Sequence, residues 1–258
     1  MTGTRMADWN PGTYHRFRDL RLRPALDLLG AVGPLRDGDV VDLGCGSGTV
    51  AGALTARLAG HRLIGVDASP AMLAEARGTG MYTTLCEADI ATWRADRPPA
   101  LIFSNAALHW LDEHAALMPR LARMLAPGGT LAVQMPHQSR APSHRGWHRA
   151  FVRTCPRQPV PDGPDILEAD DYFDLLCPLG AVQVWETEYL QHLPAANGAH
   201  PVRRFTESTF ARPFLEAAGA ARETLIAAYE AQIAADYPLR ADGSALLPFR
   251  RLFFLLTV

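Results

Sequence analysis

The chain has 258 residues, with 25 basic against 27 acidic side chains, a hydrophobic share of 48% and a charged share of 20%. That length can bury a large core as one domain, and the near-even charge offers no basic field for nucleic acid. No run of about 18 apolar residues suggests a membrane span and no signal-peptide core opens the chain, so the cysteines Cys45, Cys86, Cys155 and Cys177, without a C-x-x-C pair, read as free thiols in a reducing cytoplasm.

Residues 1–35 read as a polar and aromatic arm followed by a helix, RLRPALDLLGAV. The stretch Val40–Val50, VVDLGCGSGTV, begins as a β-branched run bounded by Gly38 and Gly44, the pattern of a buried strand. Thr49–Ala59 then carries apolar residues at helical spacing. Gly44-Cys45-Gly46-Ser47-Gly48 is therefore a strand-to-helix turn. Glycines there permit positive φ and close approach of a ligand, in front of a helix N-terminus with unpaired N–H groups. A triphosphate loop needs a Lys after its glycines, and this chain has no Lys at all; its basic residues are all Arg, which also excludes a lysine Schiff base. A dinucleotide fingerprint needs G-x-G-x-x-G, and Thr49 stands where its third glycine would fall. Asp42 at the strand end opposes an anionic ligand and suits a cationic or zwitterionic one. A turn built only for packing is the competing reading.

His61–Asp67 reads as a second strand ending in an acid, at the place where a doubly wound sheet meets ribose hydroxyls. Ser69 is an N-cap and Pro70 a first-turn residue for the helix PAMLAEAR. Glu87-Ala88-Asp89-Ile90 follows a third strand, Ala100–Asn105 is a fourth, and Ala126-Pro127-Gly128-Gly129 is the turn before a fifth. Strands and helices alternate to about Met135, as a parallel sheet covered by helices requires. Residues 136–165 hold many Pro, His and Arg, with a helix over Ser143–Thr154 and an irregular end. His144 and His148 fall at i, i+4 but lack the Glu of H-E-x-x-H, so a solvated or substrate-facing helix surface outweighs a metal site. Tyr172–Leu179 reads as the helix before a sixth strand, Ala181–Leu193. Residues 203–235 form a helical section in which RETLIAAYEAQIAADY is amphipathic. Asp242-Gly243 is a hairpin-type turn, and Leu246–Val258 a final strand.

The D-x-G-x-G-x-G of Asp42–Gly48 resembles motif I of class I S-adenosylmethionine (SAM)-dependent methyltransferases. SAM carries an amine, a carboxylate and a sulfonium but no phosphate. The resemblance implies that Asp42, Gly44, Cys45 and Gly46 hold the cofactor around the bend and that Asp67, with Ala68 and Met72, holds its ribose side. Asp89 and Ile90 then form the adenine corner, and Asn105 and Ala106 the end of the fourth strand. Trp9 would cover the cofactor from the arm. It implies an α/β, Rossmann-like fold: a mostly parallel seven-stranded sheet with an antiparallel C-terminal edge hairpin.

Further blocks resemble the bacterial trans-aconitate 2-methyltransferase family over nearly the full chain, most weakly at 137–170. They include Asp8-Trp9-Asn10-Pro11 with Tyr14, Arg21 and Arg23-Pro24; Ala132-Val133-Gln134-Met135-Pro136; Arg212-Pro213-Phe214-Leu215; and Arg251-Leu252-Phe253. This implies one domain over 1–258 with an N-terminal arm 1–35 and helical lid insertions at about 137–168 and 198–242. It also implies a cytoplasmic monomer or small homo-oligomer that esterifies a small polycarboxylic acid. A carboxylate is ionised at neutral pH, so no acid or base and no metal is required. Arg212 and Arg251 are the candidate carboxylate ligands, with Arg21 or Arg250 as a third, and Tyr14, His109 and Trp110 line the pocket. The family usually has Glu, Gln, Trp, Gly and Pro where Leu20, His109, Phe205, Phe210 and Arg250 stand, which leaves the acceptor open. Two alternatives remain: methylation of another small molecule, and SAM binding without transfer. A nicotinamide oxidoreductase is more distant.

Overall fold

The computed structural model describes residues 18–161, 166–207 and 210–258, with side chains from Leu22 onward. In chain order the elements are α1 (Arg18–Ala31), β1 (Val40–Leu43), α2 (Ala51–Arg57), β2 (Leu63–Asp67), α3 (Pro70–Gly78), β3 (Thr84–Glu87), β4 (Leu101–Asn105), α4 (His114–Ala122), β5 (Thr130–Pro136), α5 (Pro142–Thr154), α6 (Ala169–Leu176), β6 (Ala181–Leu193), α7 (Pro201–Glu207), α8 (Arg212–Ala218), α9 (Arg222–Ile233) and β7 (Ala245–Thr257). The strands form one seven-stranded sheet in the order β3-β2-β1-β4-β5-β7-β6. The first five pair in parallel, and the C-terminal strands run antiparallel. This is the fold that the sequence pattern leads one to expect. The chain reverses its spatial direction after β3, which makes the carboxyl ends of β1 and β4 the switch point where such sheets take ligands.

Local chemistry explains most boundaries. Ser69 caps α3 by accepting from the Met72 N–H at 3.3 Å, with Pro70 in the first turn. The helix before β6 starts at Ala169, earlier than the expected Tyr172, because Glu168 and Asp171 satisfy each other's backbone N–H groups in a reciprocal cap. The single helical section expected over 203–235 is divided into α7, α8 and α9, with Gly219 at φ +51 ending α8.

Among the described residues, the contacts divide the chain into two compact units: 18–135, 166–186 and 252–258, and 136–161, 187–207 and 210–251. The first unit is built on the sheet. All four residues of β1 are buried, as expected for a parallel strand covered on both faces. Val41, Leu43, Ile102, Leu131 and Val133 pack with Leu117, Met118 and Leu121 of α4 and with Tyr172 and Leu176 of α6. Each such side chain contributes roughly 1.5–3 kcal/mol by leaving water. No helix among the described residues is long and apolar enough to cross a membrane.

The second unit is held by α5 against α9. The Trp147 and Tyr229 rings stack at 3.8 Å, and a Cβ on Gly146 would meet the Tyr229 ring at 3.0 Å, so the helices approach where α5 lacks a side chain. The polar tips are used internally: Trp147 Nε1 donates to Thr206 Oγ1, Tyr229 Oη to the Ser143 carbonyl, and Tyr237 Oη accepts from the Ser143 N–H. His144, read from the sequence as lying on a solvated or substrate-facing helix surface, is not solvated: it is buried with its ring 4.2 Å from that of Phe210. Burial holds it neutral, with its pKa pushed down to about 3.

Candidate active site

The three glycines of the bend all adopt positive φ, but they do different work. A Cβ on Gly44 would lie 2.2 Å from the Ala107 Cβ, and one on Gly48 would crowd Thr79, Tyr82 and Ala76, so both are packing glycines. Gly46, at φ +53, has nothing within 4 Å of its would-be Cβ and is the position open to a ligand. The packing reading of the motif holds at Gly44 and Gly48, while Gly46 leaves open space. The N–H groups of Gly44 and Cys45 donate to the Val66 carbonyl, and that of Gly46 donates to Asp67 Oδ2 at 2.9 Å. With those donors engaged, the start of the loop is not the nest of free N–H groups that a phosphate needs.

Asp67 ends β2 with its carboxylate held from both sides, by the Gly46 N–H on Oδ2 and the Ser69 N–H on Oδ1, each at 2.9 Å. A carboxylate oxygen accepts more than one hydrogen bond, so both keep capacity for a diol. Asp42, in contrast, is 3% exposed and accepts from Tyr82 Oη at 2.7 Å. Burial raises its pKa from 3.8 to about 7, Tyr82 opposes the rise, and nearby Asp67 adds to it. At neutral pH it is only about half ionised, unlike the full anion expected from the sequence. Burial raises the Cys45 thiol and the Tyr82 phenol as well, so Cys45 stands at the bend as an inert thiol.

The Asp42 shift has a stability consequence. The folded chain binds the proton more tightly than the unfolded one, so stability is full below about pH 3.8 and is lost as pH rises through about 7. The difference is on the order of 4 kcal/mol. Asp42→Asn keeps an oxygen for Tyr82 and carries no charge. It is expected to raise Tm by several degrees more at pH 8 than at pH 5, measured by calorimetry. An equal change at both pH values would contradict the buried-carboxyl account.

At the third strand end, exposed Asp89 organises the following loop, its Oδ1 accepting from the Ala91 N–H and its carbonyl from Trp93. Ile90 packs beneath the bend, its Cδ1 at 3.3 Å from a would-be Gly44 Cβ. Arg120 of α4, not singled out by the sequence, clamps this corner by donating to the Ile90 and Trp93 carbonyls at 2.6 and 2.7 Å. At the fourth strand end Ala106 has φ +52, rare for alanine, and its N–H donates to the Gln134 carbonyl. Asn105 Oδ1 is buried without a hydrogen-bond partner among the described residues. Exposed Ala68 follows Asp67 before the α3 cap, and Met72 is buried in the first turn of α3. His109 is buried on the turn Leu108–Trp110 with its ring 4.7 Å from that of Trp110. That turn is pinned by His114, which bonds the Leu108 carbonyl through Nε2 and Tyr172 Oη through Nδ1.

The residues around the bend thus come together in the first unit. The two C-terminal arginines differ from each other. Arg251 on β7 is 3% exposed with its guanidinium 4.5 Å over the Phe249 ring. The Arg212 side chain is 48% exposed and its Nε donates to Glu216 Oε1 at 2.8 Å, an i, i+4 surface pair. Trp9 and Tyr14 lie outside the described residues, as does the side chain of Arg21.

The sheet order with its C-terminal antiparallel strands and the glycine bend at the β1–β4 switch define a class I methyltransferase. Residues 40–129 match the family model described as "Methyltransferase domain". A putative methyltransferase from Bacillus halodurans superposes with a TM-score of 0.56 at 11% identity, over 91% of this chain and 98% of that one. The chain belongs to the trans-aconitate 2-methyltransferase family. It is 43% identical over 257 residues to the trans-aconitate 2-methyltransferase of Paracidovorax citrulli, covering 96% of this chain and 97% of the relative. It is 41% identical over 259 residues to that of Methylobacterium nodulans, with the same coverage. The cofactor is S-adenosylmethionine, and the bend fits it: Gly46 is open, the adjacent donors are already engaged, and an unmet Asn105 oxygen and a braced Asp67 stand beside it.

Proposed function

We propose that the chain esterifies one carboxylate of trans-aconitate or a closely similar polyacid with the methyl group of SAM. When bound, SAM supplies an electrophilic methyl carbon on a sulfonium; the acceptor oxygen takes it with a lone pair, the C–S pair stays on sulfur, and no proton moves. The chain's own groups then have to bind, orient and exclude water. In this reading Asp67 accepts from the ribose hydroxyls and Asp89 from the adenine amino group, while Asn105 Oδ1 accepts from the ammonium and the Ala106 turn lies against the same end. Arg251 pairs with an acceptor carboxylate that does not react.

The observation that carries the reading is the 43% identity to a trans-aconitate 2-methyltransferase over 96% of this chain. Transfer of radiolabelled methyl from SAM to trans-aconitate, recovered as a base-labile ester, is the expected result. Labelling of only amine or phenol acceptors would overturn it. One observation keeps a second acceptor in view. Phe205, where the family usually has Trp, and Phe210, where it usually has Gly, are buried rings in the unit that holds Arg251. Phe205 lies 5.6 Å from Phe249, the ring beneath Arg251. An acceptor with an apolar arm beside its carboxylates would suit that wall, and an acceptor screen by homocysteine release distinguishes the two.

A further inference from the structure

Gln134 is a polar side chain near the carboxyl end of β5, 0% exposed, with neither Nε2 nor Oε1 partnered among the described residues. Its neighbours on the strand are apolar and buried, as are Leu131 and Ala132. Leaving a buried amide unmet is destabilising by about 1–3 kcal/mol for each group, and an apolar side chain of similar volume would remove that loss. Nothing in the packing of the first unit asks for an amide here.

Its place is informative. Val133 and Met135 belong to the core cluster on one face of the sheet. Gln134 alternates with them and so faces the other way. It shares that face with Asn105, its register partner on β4. Asn105 Oδ1 is also buried and unmet, so two adjacent strand ends present unsatisfied amide atoms side by side. The Gln134 carbonyl accepts from the Ala106 N–H, and the next residue, Ala107, is the one that packs against Gly44 of the bend. Gln134 is thus joined to the cofactor loop through Asn105–Ala107.

The order of strands then decides which ligand it meets. In the proposed reading the adenine lies at β3, the ribose at β2 and the amino-acid end of SAM at β1 and β4. The next strand in the sheet is β5. A carboxylate only accepts hydrogen bonds, and a glutamine Nε2 only donates them.

Resting on the proposed polyacid methylation, we infer that the Gln134 amide is an acceptor-binding group: Nε2 donates to the carboxylate that is methylated, fixing one of its oxygens while the other attacks. The bond forms between that free oxygen and the methyl carbon as the C–S bond breaks, with its electron pair left on sulfur. The donor does not transfer its proton. It orients the carboxylate and selects an acceptor that offers two oxygens at that point. A neutral donor suits this task, because a cation there would hold the nucleophilic electron density back.

The test uses the full chain with Gln134→Met, which keeps length and removes both polar atoms, and Gln134→Glu. Trans-aconitate affinity is measured by calorimetry with S-adenosylhomocysteine bound, beside kcat/KM, SAM affinity and Tm. For Gln134→Met, acceptor affinity and kcat/KM are expected to fall roughly 10- to 150-fold, the worth of a hydrogen bond to a charged group, with SAM affinity and Tm held or Tm raised. Gln134→Glu sets a carboxylate against a carboxylate. Its activity relative to the unsubstituted chain should rise as pH falls and the new side chain becomes a donor. Unchanged acceptor affinity in Gln134→Met overturns the assignment, as does an equal loss of SAM affinity, which would place the amide on the cofactor. If the unsubstituted chain neither binds nor methylates trans-aconitate, the proposed function falls and this assignment with it.

Discussion

Asp67→Ala is expected to weaken SAM binding by more than about 100-fold while the fold persists. Two effects add. The first is loss of hydrogen bonds from the ribose diol to an ionised acceptor, each worth roughly 1.5–3 kcal/mol. The second is loss of the Oδ2 that fixes the Gly46 N–H. Gly46 is the open position of the bend, so freeing its N–H also loosens the surface on which the ligand rests. The Val66 carbonyl still takes the Gly44 and Cys45 N–H groups, which keeps the start of the bend in place. Asp67→Asn separates the two effects. Its amide can still accept from one backbone N–H but has lost the charge, so an intermediate loss is expected. Calorimetry with SAM, beside Tm, makes the measurement. Unchanged affinity in the alanine variant would remove the ribose role.

What the sequence made legible was local. The apolar runs of β1, β4 and β5, the Ser69 cap and the Gly243 turn are contained within a few residues, and so were readable from pattern. Arg212 was read from the sequence as a carboxylate ligand beside Arg251, and its i, i+4 pair with Glu216 emerged with the structure. The rest depended on distant partners. Asp42 read as a full anion at the strand end because Tyr82, which bonds it, stands 40 residues further along the chain. Arg120 holds the Ile90–Trp93 loop through carbonyls, which carry no side-chain signature. Gln134 matched a family block, yet its unmet amide emerges only from the β4–β5 register. Phe249 became significant only when the guanidinium of Arg251 was found above it.

Arg251→Met is expected to lower kcat/KM for a polycarboxylate by about 30-fold to several thousand-fold, the range for truncating one partner of a buried charge pair, while SAM affinity stays within about twofold. The argument rests on the contrast between the two arginines that the sequence ranked together. Arg251 is 3% exposed with its guanidinium over the Phe249 ring, so its fork is screened from water. A bidentate carboxylate pair gains most from that arrangement. Methionine keeps the apolar stem over the ring, so packing is largely retained and the loss reports on charge. Arg251→Lys keeps the charge but not the fork, and is expected to recover only a small part of the activity. Arg212 is half exposed and already paired with Glu216, and an exposed pair is worth about 0–1 kcal/mol. Arg212→Ala should therefore leave kcat/KM within about threefold. Steady-state kinetics on the three variants, with SAM binding measured separately, gives the comparison. A loss in Arg251→Met shared equally by SAM affinity would make the residue structural, and a larger loss in Arg212→Ala would reverse the order argued from burial.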